Sequence, residues 1–133
     1  MKREPISSPH IPEPAPQLWS NAIRVGNVLY VSGMTARGSD GETIVGAGEY
    51  EQTKTIFSKI RHMVEAAGGT MNDIAKMTIF VTDIKNNKEV WRARKEFFTG
   101  AFPASTLVEV RSLAKPEIKL EIEVVAHLGS STA

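Results

Sequence analysis

Apolar residues recur along this chain with two different periods. From Glu49 to Ala67, the residues Ile56, Phe57, Ile60, Met63, Val64 and Ala67 fall at three- and four-residue spacings. Such spacing places them on one stripe of a helix. Arg61, Glu65 and Lys54 lie off the stripe and are expected in solvent. Gly68-Gly69 follow where a helix needs a residue that tolerates the left-handed conformation. Thr70 then caps a single turn, Met71–Asp73. Past it the period changes to two: Met77, Ile79 and Val81 alternate with Lys76, Thr78, Phe80 and Thr82, the signature of a strand with one buried face. A helix followed by such a strand predicts a crossover packed on a sheet. The stretch from His62 to Asp83 is therefore the centre around which the other elements are arranged.

Toward the N-terminus, Ile23 and Val25 flank Arg24, and Gly26-Asn27 supplies a two-residue hairpin turn. The strand 28–32 returns and ends at Gly33. Residues 34–48 are rich in Gly and small polar side chains and read as a loop, with a short edge strand at Thr43–Val45. A loop of that length inside a compact domain is often functional. A second helix is expected over Asn86–Phe98, with Val90, Ala93, Phe97 and Ala101 inward and Trp91 and Phe98 left for a flank or a partner. In the strand 106–110, Thr106, Val108 and Val110 share one face, and Leu107, Glu109 and Arg111 the other. After a turn at 114–116, Ile118, Leu120, Ile122, Val124 and Ala126 alternate with Lys119, Glu121, Glu123, Val125 and His127.

The resulting order, ββαβαββ, predicts an α+β fold: a mixed sheet with both helices on one face. The uncovered face carries Phe80, Leu107 and Val125 among polar groups, a mixture that usually meets another subunit or lines a cleft. Five of the seven prolines fall within residues 1–17. Regular structure is not expected there, and the segment is either a mobile tail or an arm laid across a surface. A single domain is expected over 18–129, with a frayed tail at 130–133.

Composition narrows the function. At 133 residues the chain can bury a core unaided. Sixteen Lys and Arg nearly cancel fifteen Asp and Glu, which argues against a nucleic-acid partner. The absence of cysteine removes disulfides, thiol catalysis and Cys-type metal sites. No apolar run approaches the roughly 18 residues of a membrane span, and no signal-peptide core follows the first residues. A cytoplasmic protein is expected. His10, His62 and His127 share no metal-ligand spacing, so no metal is assigned. No phosphate-binding glycine motif is present, and Ser32-Gly33 lacks the nucleophile-elbow pattern. Carboxylates remain. Glu109, Glu121 and Glu123 are assigned to the semi-polar face, where partial desolvation would suit one of them to acid/base work; ordinary surface glutamates fit the same pattern.

The segments VGNVLYVSGMT, EAAGGTMNDIAKMTIFVTDI, FPASTLVEV and LEIEVVA, in that order and spacing, resemble the RidA/YjgF family of small homotrimeric proteins. The resemblance covers about Trp19 to Leu128. It implies a chorismate-mutase-like fold whose three sheets close into a trimeric barrel, with ligand clefts between subunits. Family members hydrolyse reactive enamines and imines such as 2-aminoacrylate, without metal or organic cofactor. Carried over residue by residue, the resemblance implies Glu121 as the acid/base that handles water, and Ser32 and Gly33 as a cleft-lining strand end. Trp19 and Trp91 stand where the family has a tyrosine and an asparagine, lining the cleft or packing an interface. The family's substrate-binding arginine is replaced by Ser105, and a hydroxyl cannot reproduce a guanidinium's fork of charged donors. The resemblance thus implies a cofactor-independent hydrolase whose substrate is shifted away from 2-aminoacrylate toward a flatter, less anionic compound. The alternatives are a non-catalytic ligand-binding or regulatory trimer and, less favoured by the charge balance, an endoribonuclease or translation inhibitor.

Overall fold

Six strands form one mixed sheet in the computed structural model, which describes residues 1–132. They are β1 (Arg3–Ile6), β2 (Ala22–Val25), β3 (Val28–Met34), β4 (Ile74–Val81), β5 (Ala104–Glu109) and β6 (Leu120–His127), ordered β1-β2-β3-β6-β4-β5. Only β4 and β5 run parallel; the other neighbours are antiparallel. Two helices, α1 (Glu49–Ala66) and α2 (Asn87–Arg94), pack against one another over one face.

The core is the one the periodicities predict. Ile56, Phe57, Ile60, Met63 and Val64 of α1 are fully buried. They meet Leu29, Val31, Met77, Ile79, Val81, Leu120, Ile122, Val124 and Ala126 from the sheet. Each large side chain so buried contributes about 1.5–3 kcal/mol. Gly68, at φ +89°, ends α1 in the left-handed conformation, and the amide of Gly69 donates back to the Val64 carbonyl at 2.9 Å. One buried polar group is tied in from three sides. The Gln52 side chain donates to the carbonyls of Gly46 and Glu117 and accepts from the Lys119 amide. It thereby fastens the loop before α1 to the turn before β6.

Several expectations are corrected. Regular structure does occur within residues 1–17: Arg3–Ile6 pairs with β2. Pro5 is tolerated because β1 is an edge strand, where a missing N–H disrupts no ladder between two neighbours. The rest of the arm is laid down, with Ile11 buried and the Asn21 amide donating to the Pro12 carbonyl. The second helix ends at Arg94 rather than Phe98. Glu96 and Phe97 donate to carbonyls three residues back, and this tighter winding turns Phe98 inward, edge-on to Phe57. Phe98 is therefore core, and Ala101 is exposed.

On β5 the two faces are exchanged. Leu107 pairs with buried Ile79 and packs on the core, whereas Val108 pairs with Phe80 on the uncovered face. Glu109 leaves that face too, its carboxylate accepting from the Ile84 amide. Thr43–Val45 makes one bridge, at Ile44, instead of a strand. In the expected C-terminal tail, Ser130–Thr132 form a single 3-10 turn, and Ala133 lies outside the described residues.

Candidate active site at the end of β3

A bulge in β3 shapes the site. Between the pairs Val31–Val124 and Met34–Ile122, β3 sets two residues, Ser32 and Gly33, against the single residue Glu123 of β6. Bulges bend a strand and re-aim its side chains. Here the bend brings the backbone of Gly33 against the side chain of Glu121, so closely that a Cβ at position 33 would overlap the carboxylate. Gly33 has no positive φ; what it supplies is room. Ser32 is held by two bonds to the segment before β2: its amide donates to the Asn21 carbonyl at 2.9 Å, and its hydroxyl to the Ser20 carbonyl at 2.6 Å.

These groups line a cavity of about 520 Å³. The laid-down arm supplies one wall through Ile11–Pro14 and the exposed indole of Trp19 supplies another. Glu121 faces into the cavity half-buried. Burial pushes its carboxyl above the usual carboxylate range, the neighbouring Glu123 charge adds to the rise, and Arg37 opposes it. A carboxylate so placed exchanges protons nearer neutrality than a solvated one.

Two further cations line the same cavity, Arg37 from the loop after β3 and Lys59 from α1. Burial and then the nearby Arg37 charge lower the Lys59 ammonium to about 8. Sequence reasoning missed both residues. Arg37 lay in the glycine-rich loop already suspected of a role, which was the one signal available. Lys59 belongs to no motif.

Of the six residues singled out in the sequence, Trp19, Ser32, Gly33 and Glu121 come together here, whereas Trp91 and Ser105 do not. Trp91 is exposed on α2. Ser105 lies on β5, the edge strand farthest from β1, where its hydroxyl accepts from Arg94 Nη1 at 3.0 Å. The histidines hold a different surprise. The rings of His10 and His62 stack at 4.1 Å, pinning the arm to α1. Among the described residues, no three His, Cys, Asp or Glu converge as metal ligands, and no helix is long and apolar enough to cross a membrane.

Comparison with known proteins matches residues 10–128 to the family model described as endoribonuclease L-PSP. A RutC family protein of Pyrococcus abyssi is 32% identical over 96% of this chain and 98% of its own length. The 2-iminobutanoate/2-iminopropanoate deaminase of Dermatophagoides farinae is 32% identical over 90% of this chain and 92% of its own. Among solved structures, a Rid family protein of unknown function from Yersinia pestis superposes with a TM-score of 0.87 at 33% identity, covering 96% of this chain and all of that one.

Proposed function

Since this chain belongs to the endoribonuclease L-PSP family, the RidA/YjgF proteins, we propose that it hydrolyses a small imine or enamine in the cavity at the end of β3, with Glu121 as the acid/base. The observation that carries this reading is the half-buried Glu121 carboxyl, raised by burial and seated against Gly33 in a ligand-sized cavity. Its relative from Dermatophagoides farinae carries the name of an imine deaminase, which supports the same reaction class.

The chemistry follows from one group. Glu121 takes a proton from water as the water oxygen bonds to the imine carbon. It returns that proton to the nitrogen of the tetrahedral adduct. Glu121 then carries the hydroxyl proton of the adduct to the same nitrogen, so that collapse to the carbonyl breaks the C–N bond and releases neutral ammonia; an enamine first becomes an imine by protonation at carbon. One water is consumed, no electrons are transferred, and no cofactor is required. Such proton transfer by a positioned group contributes typically 10²–10⁴-fold.

The site is completed, in this reading, by a homotrimer. Tyr30 and Val108 stand exposed on the face opposite the helices, with Phe80 and Val125 half-covered, an apolar content suited to a subunit interface. A neighbouring subunit would bring Trp91 and Ser105 toward a cavity that one chain leaves open. With a hydroxyl at position 105, the substrate is shifted away from 2-aminoacrylate.

The test is ammonia release from a panel of imines and enamines generated in situ. Acceleration of at least one of them is expected. Failure to accelerate any would contradict the reading: ligand binding alone would then favour a binding or regulatory trimer, and cleavage of RNA in its place would favour an endoribonuclease.

A further inference from the structure

The cavity that holds Glu121 also holds two cations that no carboxylate touches, although the Glu121 charge is felt by Arg37 across the cavity. Among the described residues, the only ion pairs are Lys54–Glu96, Arg92–Glu89 and Lys115–Glu42, so no carboxylate is paired with either Arg37 or Lys59. Each is fixed by a backbone carbonyl instead. Arg37 Nη1 donates to Gly41 O at 3.3 Å, and Lys59 Nζ to Thr35 O at 2.7 Å. A guanidinium has five N–H donors and an ammonium three, so most donors of both remain uncommitted.

Their setting is costly without an anion. Both side chains are half-buried, and the charge of one acts on the other strongly enough to lower Lys59 further than burial alone does. Like charges held together beside a cavity are stabilised by an anion that bridges them. The cavity is also polarised. Glu13 and Glu121 line it as well, and their charges disfavour an anion near them, leaving the Arg37/Lys59 region as the place for one.

We propose that Arg37 and Lys59 form an anion subsite that receives a carboxylate or phosphate group of the ligand and so sets its orientation toward Glu121. The orientation toward Glu121 rests on the proposed hydrolase function; the subsite itself rests on the two cations and the cavity. The ligand is then an imine or enamine bearing an acidic group, which revises the less anionic compound expected from Ser105 alone, because the acidic group is held by residues outside the position that Ser105 occupies.

Binding of inorganic phosphate and of propionate, measured by titration calorimetry at pH 7 in a buffer without competing anions, tests this. Wild-type protein is expected to bind at least one of them, and the tighter of the two identifies the group. Arg37→Gln and Lys59→Met should each weaken it at least tenfold, while Glu121→Gln should bind it as well as wild type or better. Should Lys59→Met fail to fold, Arg37→Gln in the loop still decides the question. Failure of both anions to bind wild type, or equal affinity in wild type and Arg37→Gln, overturns the subsite. The two proposals fail separately. Arg37-dependent anion binding with turnover indifferent to Glu121→Gln would remove the hydrolase mechanism and keep the subsite. Glu121-dependent turnover with anion binding indifferent to Arg37 would do the reverse.

Discussion

A methyl group at position 33 would overlap the carboxylate of Glu121, so Gly33→Ala must move the one group assigned to proton transfer. Because the obstructing atoms belong to a side chain that can swing, the stability change should stay below about 1 kcal/mol. Turnover should fall at least tenfold, as small misplacements of reacting groups cost rate steeply. Kinetics and urea denaturation of the same preparation separate the two effects, and unaltered turnover would contradict the geometry. Lys59 yields a second expectation, on pH. Its ammonium titrates near 8 in the folded chain against the usual 10.5, so the unfolded state binds more protons between those values. Stability then rises with pH across that window, and Lys59→Met should flatten the rise in a pH series of thermal midpoints. At this scale the sequence was legible where a residue sits in a patterned strand. Ser32, Gly33 and Glu121 could be placed by alternation and resemblance. Arg37 and Lys59 could not, because the loop's path back to α1 brings them to one cavity and no local spacing records it.

Elements were read well wherever burial on one side imposes a period. The stripe of α1 and the alternation of β4 and β6 were correct at each core position, since a slip would expose the whole apolar set. The edge elements were read less well. Alternation in β5 gave two sets of residues but not which faces the helices; the parallel pairing with β4 decides that, and it is a contact between distant segments. Past Arg94, a change to three-residue hydrogen bonding turned Phe98 into the core, a phase shift that a continuous helical wheel cannot register. The turn at Met71–Asp73 carries a prediction of its own. Buried Asp73 accepts from the amides of Thr70 and Ser131, joining the turn before β4 to the C-terminal segment. Burial alone would raise its carboxyl, but the hydrogen bonds from Ser131, Thr70 and Gly129 outweigh burial and hold it below its usual value. Its contribution is therefore present above the unfolded pKa and lost as pH falls through the lowered one. Asp73→Ala should cost about 1–3 kcal/mol at pH 7 in chemical denaturation, and less in acid; an equal cost at both would contradict the charge-based account.

For the whole molecule, the mixed sheet with two helices on one face was readable from element order, and the family from four segments in their spacing. Assembly is not written in a single chain's contacts, but the uncovered face has consequences for it. Tyr30, Phe80, Val108 and Val125 are too apolar a set to leave fully wet, and Trp91 and Ser105 stand apart from a cavity they are expected to serve. Light scattering at micromolar concentration should return about three times the 14.6 kDa of one chain. A stable monomer would contradict the trimer and with it the completion of the site by a neighbour. Replacing Tyr30 and Val108 by charged residues should release monomers and lower turnover together.

The central claim is that Glu121, and not its neighbour, moves the proton. Strand alternation puts Glu121 and Glu123 on the same face of β6, and only Glu121 lines the cavity. Glu121→Gln preserves size and much of the hydrogen bonding while removing the exchangeable proton. The decisive measurement is turnover of one accepted imine by wild type, Glu121→Gln and Glu123→Gln under identical conditions, with ligand affinity determined alongside. The account predicts a loss of roughly a hundredfold or more for Glu121→Gln, little change in its affinity, and a much smaller loss for Glu123→Gln. Equal rates for Glu121→Gln and wild type would contradict it.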